Sequence, residues 1–281
     1  MASEFKKKIF ITGWNGFLGK GLIDALGDSF DIVLSEGELG HVESWGKSLK
    51  GVSTLIHIAG CPYTRDAGLY ERINAEGTRK LVEAAEKYGV GHFIFASTRV
   101  KAQCGSYGAS KMKAEEYIRK STLSWTIVRI AEVYDDTFLT TEGMERIGAV
   151  MQIAKTVRKN LIVPYLSGSR ANMAPVHKDD VVACLRAVIM HAGTKNKIYT
   201  LAGPETLSLK EVLERVVRHL GRRRILIPIP LLGIRFLFWF LTSIVNLGVA
   251  DQLERLVCSK DPLSGNVWLD LGLKPRRFLA R

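Results

Sequence analysis

The chain has 281 residues, with 40 Lys plus Arg against 28 Asp plus Glu and a formal net charge of +12. A hydrophobic fraction of 47% excludes a disordered chain, and 26 Gly with 8 Pro carry neither a collagen-like nor a linker-like bias. The length allows one large or two small domains, and the charge leaves nucleic acid, an acidic membrane and an anionic small molecule as partner classes to weigh.

Lys8–Thr12 is short, apolar and β-branched, the pattern of a strand. Glycines follow, and residues 18–26 then show helical spacing. Strands are predicted at 30–34, 54–58, 92–96 and 125–129. Helices are predicted at 75–88, stopped by Gly89, and around 112–119. Continuous apolar strands alternating with helices predict an α/β fold, a doubly wound parallel sheet of the Rossmann type covered on both faces.

The second half is less regular. Residues 147–159 are helical in pattern, Asp179 or Asp180 can cap a helix running to His191, and 198–201 is a returning strand. Ser208 with Glu211 forms a capping-box pattern before a helix over 209–220. No repeat or low-complexity linker separates the halves. The expected division is a dinucleotide-binding domain over 1–165, with 166–281 supplying remaining sheet elements and a small interleaved C-terminal substrate-binding region.

Residues 231–245 are apolar but interrupted by Arg235. Fifteen residues fall short of the ~20 a spanning helix needs, so a buried or substrate-covering helix is expected. Because Arg222, Arg223 and Arg224 lie just upstream, peripheral membrane contact through 222–245 is the competing reading. Residues 1–8 are polar and precede too short an apolar run for a secretory leader. Cys61, Cys104, Cys184 and Cys258 have neither CxxC nor CxxH spacing, so no disulfide framework and no zinc site is expected, and the compartment is read as reducing.

Gly13, Trp14, Asn15, Gly16, Phe17, Leu18 and Gly19 form a GxxGxxG loop between the first strand and the first helix. Such glycines permit a tight turn and close approach of backbone to a pyrophosphate, while the helix N-terminus offers N–H donors and partial positive charge. Strand before and helix behind give the loop the context that a dinucleotide site requires. Glu36 sits 17 residues past Gly19, where an acidic residue would bind the adenosine ribose, with Glu38 as competitor. No Lys or Arg occurs between Lys20 and Lys47 to meet a 2′-phosphate, which favours NAD over NADP as cofactor without excluding NADP.

Tyr107 and Lys111 are spaced YxxxK, after Ser97 and Thr98 at the end of the predicted fourth strand. If Tyr107 begins a helix, Lys111 lies one turn along on the same face. A phenol ordinarily titrates near 10, and an adjacent ammonium would bring it toward neutrality for acid–base work.

With these motifs in place the chain resembles the short-chain dehydrogenase/reductase superfamily, in its extended, nucleotide-sugar epimerase/dehydratase-like branch. Ala59 and Gly60, the Asn74 to Thr78 run, the Val128 to Tyr134 run and the Val176 to Val181 run also carry the resemblance. It implies Tyr107 as acid/base, Lys111 as its partner and as a hold on the nicotinamide ribose, and Ser97 or Thr98 as substrate-orienting hydroxyls. Ala59 and Gly60 would lie against the cofactor, and Arg170 would contact an anionic substrate. A homodimer is usual in the family, and a cytoplasmic location is expected. The chain departs from the branch in placing Ser97 and Tyr107 only ten residues apart, in Ile130 where Pro is usual, and in Asp135 where Gly is common.

The leading expectation is an NAD(P)-dependent oxidoreductase or epimerase, transferring hydride at a hydroxyl or carbonyl carbon of a nucleotide-sugar-like substrate. Its rivals are a non-catalytic dinucleotide-binding subunit and a membrane-associated reductase of a steroid, isoprenoid or quinone-like substrate. The basic residues are dispersed and no recognition-helix or RNA-binding motif occurs, so no nucleic-acid partner is expected. His57 and His177 are expected to be hydrogen-bonded structural histidines and not metal ligands.

Overall fold

In the computed structural model, residues 6–136, 148–168, 172–230, 255, 258, 260 and 267–280 are described. The chain opens with β1 (Lys8–Thr12), α1 (Phe17–Leu26), β2 (Asp31–Leu34), a short α2 (Val42–Trp45) and β3 (Thr54–His57). Next come α3 (Ala67–Tyr70), a π-helical turn Glu71–Glu76 continuous with α4 (Gly77–Lys87), and β4 (His92–Thr98). α5 (Ser106–Lys120), β5 (Trp125–Ile130) and β6 (Val133–Tyr134) complete the first half. α6 (Ala149–Lys159), β7 (Ile162–Ser167), β8 (Val176–His177), α7 (Lys178–Met190) and β9 (Lys197–Leu201) follow. The described elements end with α8 (Leu209–His219), β10 (Ile225–Pro230) and a helical turn Val267–Asp270.

Six strands form one sheet in the order β2-β1-β3-β4-β5-β9, with every pairing parallel. The period-two side-chain alternation explains why these strands are apolar throughout. Ile9 and Ile11 of β1 join Ile94 of β4 and Val128 of β5 on the face covered by α1 and α7, through Leu22, Leu26, Val181 and Leu185. Phe10, Phe93, Phe95 and Ile127 point the other way, against Val42, Trp45, Leu81, Val82, Ala114 and Ile118 of α2, α4 and α5. Each buried side chain of this size contributes about 1.5–3 kcal/mol, more than any helix propensity on the same elements.

Beyond β5 the chain builds a second, smaller core from α6, α8 and β7, with Val150, Ala154, Val163, Val212, Val216 and Phe278 buried. β7 pairs in parallel with β10, and β6 with β8. Proline occupies β7 at Pro164 and β10 at Pro228 and Pro230, positions that a two-stranded ribbon tolerates because each strand has an open edge. Between these pieces the chain returns to the main sheet, where β9 pairs with β5.

Three sequence expectations change. The helix expected over 75–88 begins at Ala67 and contains the π-helical turn. The helix expected to be capped by Asp179 or Asp180 is capped by His177, whose Nδ1 accepts from the Asp179 amide at 3.2 Å, and Asp180 is buried where it accepts from the Arg276 amide. Cys104 and Cys258 form a disulfide across 154 residues, with Cα atoms 5.6 Å apart. That bond corrects the expectation of unpaired cysteines and removes the ground on which a reducing compartment was read. A cross-link closing so long a loop is expected to hold about 2–4 kcal/mol of stability, so thermal unfolding with and without a reductant should show a lower Tm when reduced. An unchanged Tm would mean that the bond does not form in solution.

Among the described residues no helix is long and apolar enough to cross a membrane. Residues 231–245 and Arg170 lie outside the described residues.

Candidate dinucleotide and acid–base site

The C-terminal ends of β1, β3, β4 and β5 open onto a cavity of about 1530 Å³, the location that open parallel sheets reserve for ligands. Gly13 and Gly16 line it beside Asn15, Phe17 and Leu18, with Ala59 and Gly60 opposite. Gly13 has φ +73°, and a Cβ there would stand 2.6 Å from the Ala59 nitrogen. At Gly19 a Cβ would stand 2.3 Å from the Gly13 carbonyl oxygen. The loop therefore turns back on itself as tightly as backbone allows, exposing the start of α1 to the cavity, which is the cradle a pyrophosphate requires. Trp14 pins the turn by donating from Nε1 to the Ser35 carbonyl at 3.0 Å. Glu36 follows β2 and is exposed.

A Gly13→Ala variant is expected to bind NADH about 10- to 100-fold more weakly, from ~1–3 kcal/mol of backbone strain plus the clash. Fluorescence titration measures this directly, and an unaltered Kd would exclude the loop as cradle.

The floor is fixed by buried polar side chains. His57 bridges Thr12 Oγ1 at 2.7 Å and Thr78 Oγ1 at 2.9 Å and stacks on Phe95, and burial pushes its imidazole well below the usual value. It is a neutral structural histidine, as its setting in the sequence suggested. The π-helical turn delivers Asn74 to the loop after β3. Its Oδ1 accepts from the Cys61 amide at 2.7 Å, and its Nδ2 donates to the Cys61 carbonyl and to Ser110 Oγ. Asn74 was visible only as part of a family run, because nothing in local spacing marks a residue that holds two loops together.

Tyr107 lies in the first turn of α5, half-buried at the cavity wall. Burial raises its phenol above the ordinary value, against the charge of Arg255 and a hydrogen bond with Thr98, which lower it. The two hydroxyls left open by the sequence part company here. Thr98 meets Tyr107, whereas Ser97 donates to Glu115 Oε1 at 2.5 Å, inside an ion pair that Arg129 completes through Nε and Nη2. Lys111 is also buried. Its Nζ donates to the Ala96 carbonyl at 2.8 Å and lies 4.0 Å from the Phe95 ring centre, and burial brings its ammonium down to about 7.

Three groups at the site escaped the sequence reading. Arg255 reaches in from far along the chain, its Cζ 4.1 Å from the Tyr107 ring centre. Glu132 accepts from the Ala174 amide at 2.9 Å and pairs with Lys260. Burial would raise the Glu132 carboxyl, but the charge and hydrogen bond of Lys260 outweigh it and hold the group below its usual range. Lys178 pairs with Asp135 at 3.0 Å at the cavity edge. Glu132 and Lys178 fall inside the family runs 128–134 and 176–181 without being singled out there, and Arg255 belongs to no motif, since each partner is remote in sequence. No cluster of three metal-ligating side chains occurs among the described residues.

Comparison with known proteins agrees with this geometry. The NAD(P)H-binding family matches residues 23–161. The UDP-glucose 4-epimerase of Thermotoga maritima superposes with a TM-score of 0.71 at 17% identity, covering 96% of this chain and 94% of that one. Residues 23–161 are thus similar to the NAD(P)H-binding family, and the fold is shared with the superposed epimerase. The cofactor is NAD(P).

Among curated relatives, the mitochondrial NADH-ubiquinone oxidoreductase 40 kDa subunit of Neurospora crassa is 26% identical over 89% of this chain and 64% of its own length. The ceramide reductase of Caulobacter vibrioides is 26% identical over 66% of this chain and 62% of its own length. The chain thus spans a little under two thirds of either relative.

Proposed function

We propose that the protein is an NAD(P)-dependent oxidoreductase or epimerase acting at a hydroxyl or carbonyl carbon. The observation that carries this reading is Tyr107, half-buried on the wall of a cavity whose far side is the glycine cradle and hydrogen-bonded there to Thr98. When bound, the nicotinamide supplies the hydride acceptor or donor. Gly13 to Gly19 would hold its pyrophosphate, and Glu36 the adenosine ribose. Tyr107 takes a proton from a substrate hydroxyl or returns one to a carbonyl oxygen. Thr98 orients that oxygen by sharing a hydrogen bond with it. Lys111, fixed by Ala96, lies one helical turn from Tyr107 and would hold the nicotinamide ribose.

The substrate we propose is nucleotide-sugar-like, bound on the side of the cavity formed by α6, β7 and α8 and by residues of the 166–281 portion. Ile153, Val163, Leu166, Leu213 and Ile229 make that wall apolar, which suits the ring or chain of a lipid-like substrate as well. Mass spectrometry of molecules co-purifying with native protein tests both, followed by absorbance at 340 nm when the identified compound and NAD are supplied. Bound dinucleotide with conversion of a hydroxyl compound is the expected result. Dinucleotide that stays unaltered, with no epimer or other product formed from any hydroxyl or carbonyl compound supplied, would overturn the reading.

A second reading, a non-catalytic dinucleotide-binding subunit, is favoured by the likeness to the 40 kDa subunit over 89% of this chain. Peripheral contact with anionic lipid fits the same reading, because Ile225 and Ile227 are 56% and 43% exposed beside exposed Arg222 and Arg223. Co-sedimentation with anionic vesicles is expected on that reading, and its absence removes the membrane part.

A further inference from the structure

Two observations lead past the pairing of Tyr107 with Lys111. Lys111 gives its ammonium to the Ala96 carbonyl and the Phe95 ring. The cation over the face of Tyr107 is instead Arg255, with Cζ 4.1 Å from the ring centre. Its planar fork is held on both arms, Nη2 donating to the Tyr70 hydroxyl at 2.7 Å and Nη1 to the Pro62 carbonyl at 2.9 Å. The rings of Tyr70 and Tyr63 lie 5.3 and 5.7 Å away. Two anchors, one covalent and one ionic, follow Arg255 within five residues. Cys258 is bonded to Cys104, three residues before Tyr107, and Lys260 is paired with buried Glu132.

We propose that Arg255 is a positioning residue of this site: its fixed charge over the ring stabilises the phenolate of Tyr107, and the Cys104–Cys258 bond keeps the guanidinium there. The inference rests on the reading of Tyr107 as acid/base. A guanidinium stays charged at every working pH, stacks flat on an aromatic ring and keeps its donors in plane for Tyr70 and Pro62. An ammonium buried as Lys111 is passes between charged and neutral forms near pH 7 and is the less dependable counter-charge. The titratable and charged groups facing Tyr107 are Cys61 and Tyr63 from the loop after β3, Tyr70 of α3, Lys111 of its own helix, and Arg255. Burial and the charges of Tyr70 and Cys61 oppose ionisation, and Arg255 is the largest influence favouring it. The proton step is simple: the phenolate oxygen takes the proton of a substrate hydroxyl and becomes a neutral phenol.

The test is a pH titration of the full chain labelled with 3-fluorotyrosine, following the ¹⁹F resonance that disappears in Tyr107→Phe. Arg255→Met is expected to raise the Tyr107 midpoint by about one pH unit, and Arg255→Lys to restore part of the shift. Cys258→Ser is expected to reproduce the Arg255→Met midpoint. Equal midpoints in wild type and Arg255→Met, with both folded by circular dichroism, would overturn the role of the cation. A wild-type midpoint in Cys258→Ser would overturn the tether. If Arg255→Met does not fold, a wild-type midpoint in folded Arg255→Lys supports the charge, and a midpoint raised by a full unit there overturns it. Full turnover in Tyr107→Phe would instead discard the acid/base reading while leaving the midpoint comparison standing.

Discussion

Replacing Tyr107 by Phe is expected to cut turnover about 10²- to 10⁴-fold, the usual worth of a positioned acid/base, while dinucleotide affinity stays nearly unaltered. The separation follows from the architecture. The cradle is made by β1, α1 and the loop after β3, and the phenol is carried by α5 on the other side of the cavity. Removing one oxygen from the ring leaves the contacts with Tyr70 and Arg255 in place, so packing loss does not mimic the effect. Thr98→Val should lower turnover less, because it removes only the hydrogen bond to the substrate oxygen and to Tyr107. A Tyr107→Phe protein that turns over normally would end the assignment.

The largest stability effect is expected at Glu115. Its side chain is 1% exposed, and it accepts from both Arg129 nitrogens and from Ser97. Glu115→Leu leaves the Arg129 guanidinium without its anion and Ser97 without its acceptor, a loss of about 3–5 kcal/mol for a broken buried pair. For a domain of this size that is a fall in Tm of roughly 6–20 °C. Adding Arg129→Met should recover most of it, because a buried pair exchanged for apolar residues of similar volume is close to neutral. Calorimetry of the single and double variants decides the matter. A double variant no more stable than Glu115→Leu would show that the site fails for packing reasons and not for an orphaned charge.

The sheet was legible because its inner strands are buried on both faces and helices lie in the crossovers. Lys8–Thr12 lies where its β-branched run placed it, and β9 starts one residue before the expected 198–201. The glycine loop was legible for the same reason: its chemistry is local, with the turn, the helix start and the strand contiguous in sequence. What sequence could not carry is the set of long-range pairings. Ser97 and Thr98 are neighbours with the same functional group, and only the partners delivered by α5 separate them, Glu115 taking one and Tyr107 the other. The short strands β6, β7, β8 and β10 escaped because two-residue ladders and proline-bearing edges leave no period to read. Cys104 and Cys258 showed no spacing motif because their proximity is created by tertiary folding alone.

The disulfide also sets an order of events during synthesis. All six strands of the main sheet and the whole glycine loop precede residue 202, so they leave the ribosome well before Arg255, Cys258 and Lys260. Only then can the cross-link form, and it closes β5, α6, β7, β9 and α8 into one covalent ring of the chain. A protease cutting once anywhere inside that ring would leave two pieces travelling as one under non-reducing electrophoresis, and separating when a thiol is added.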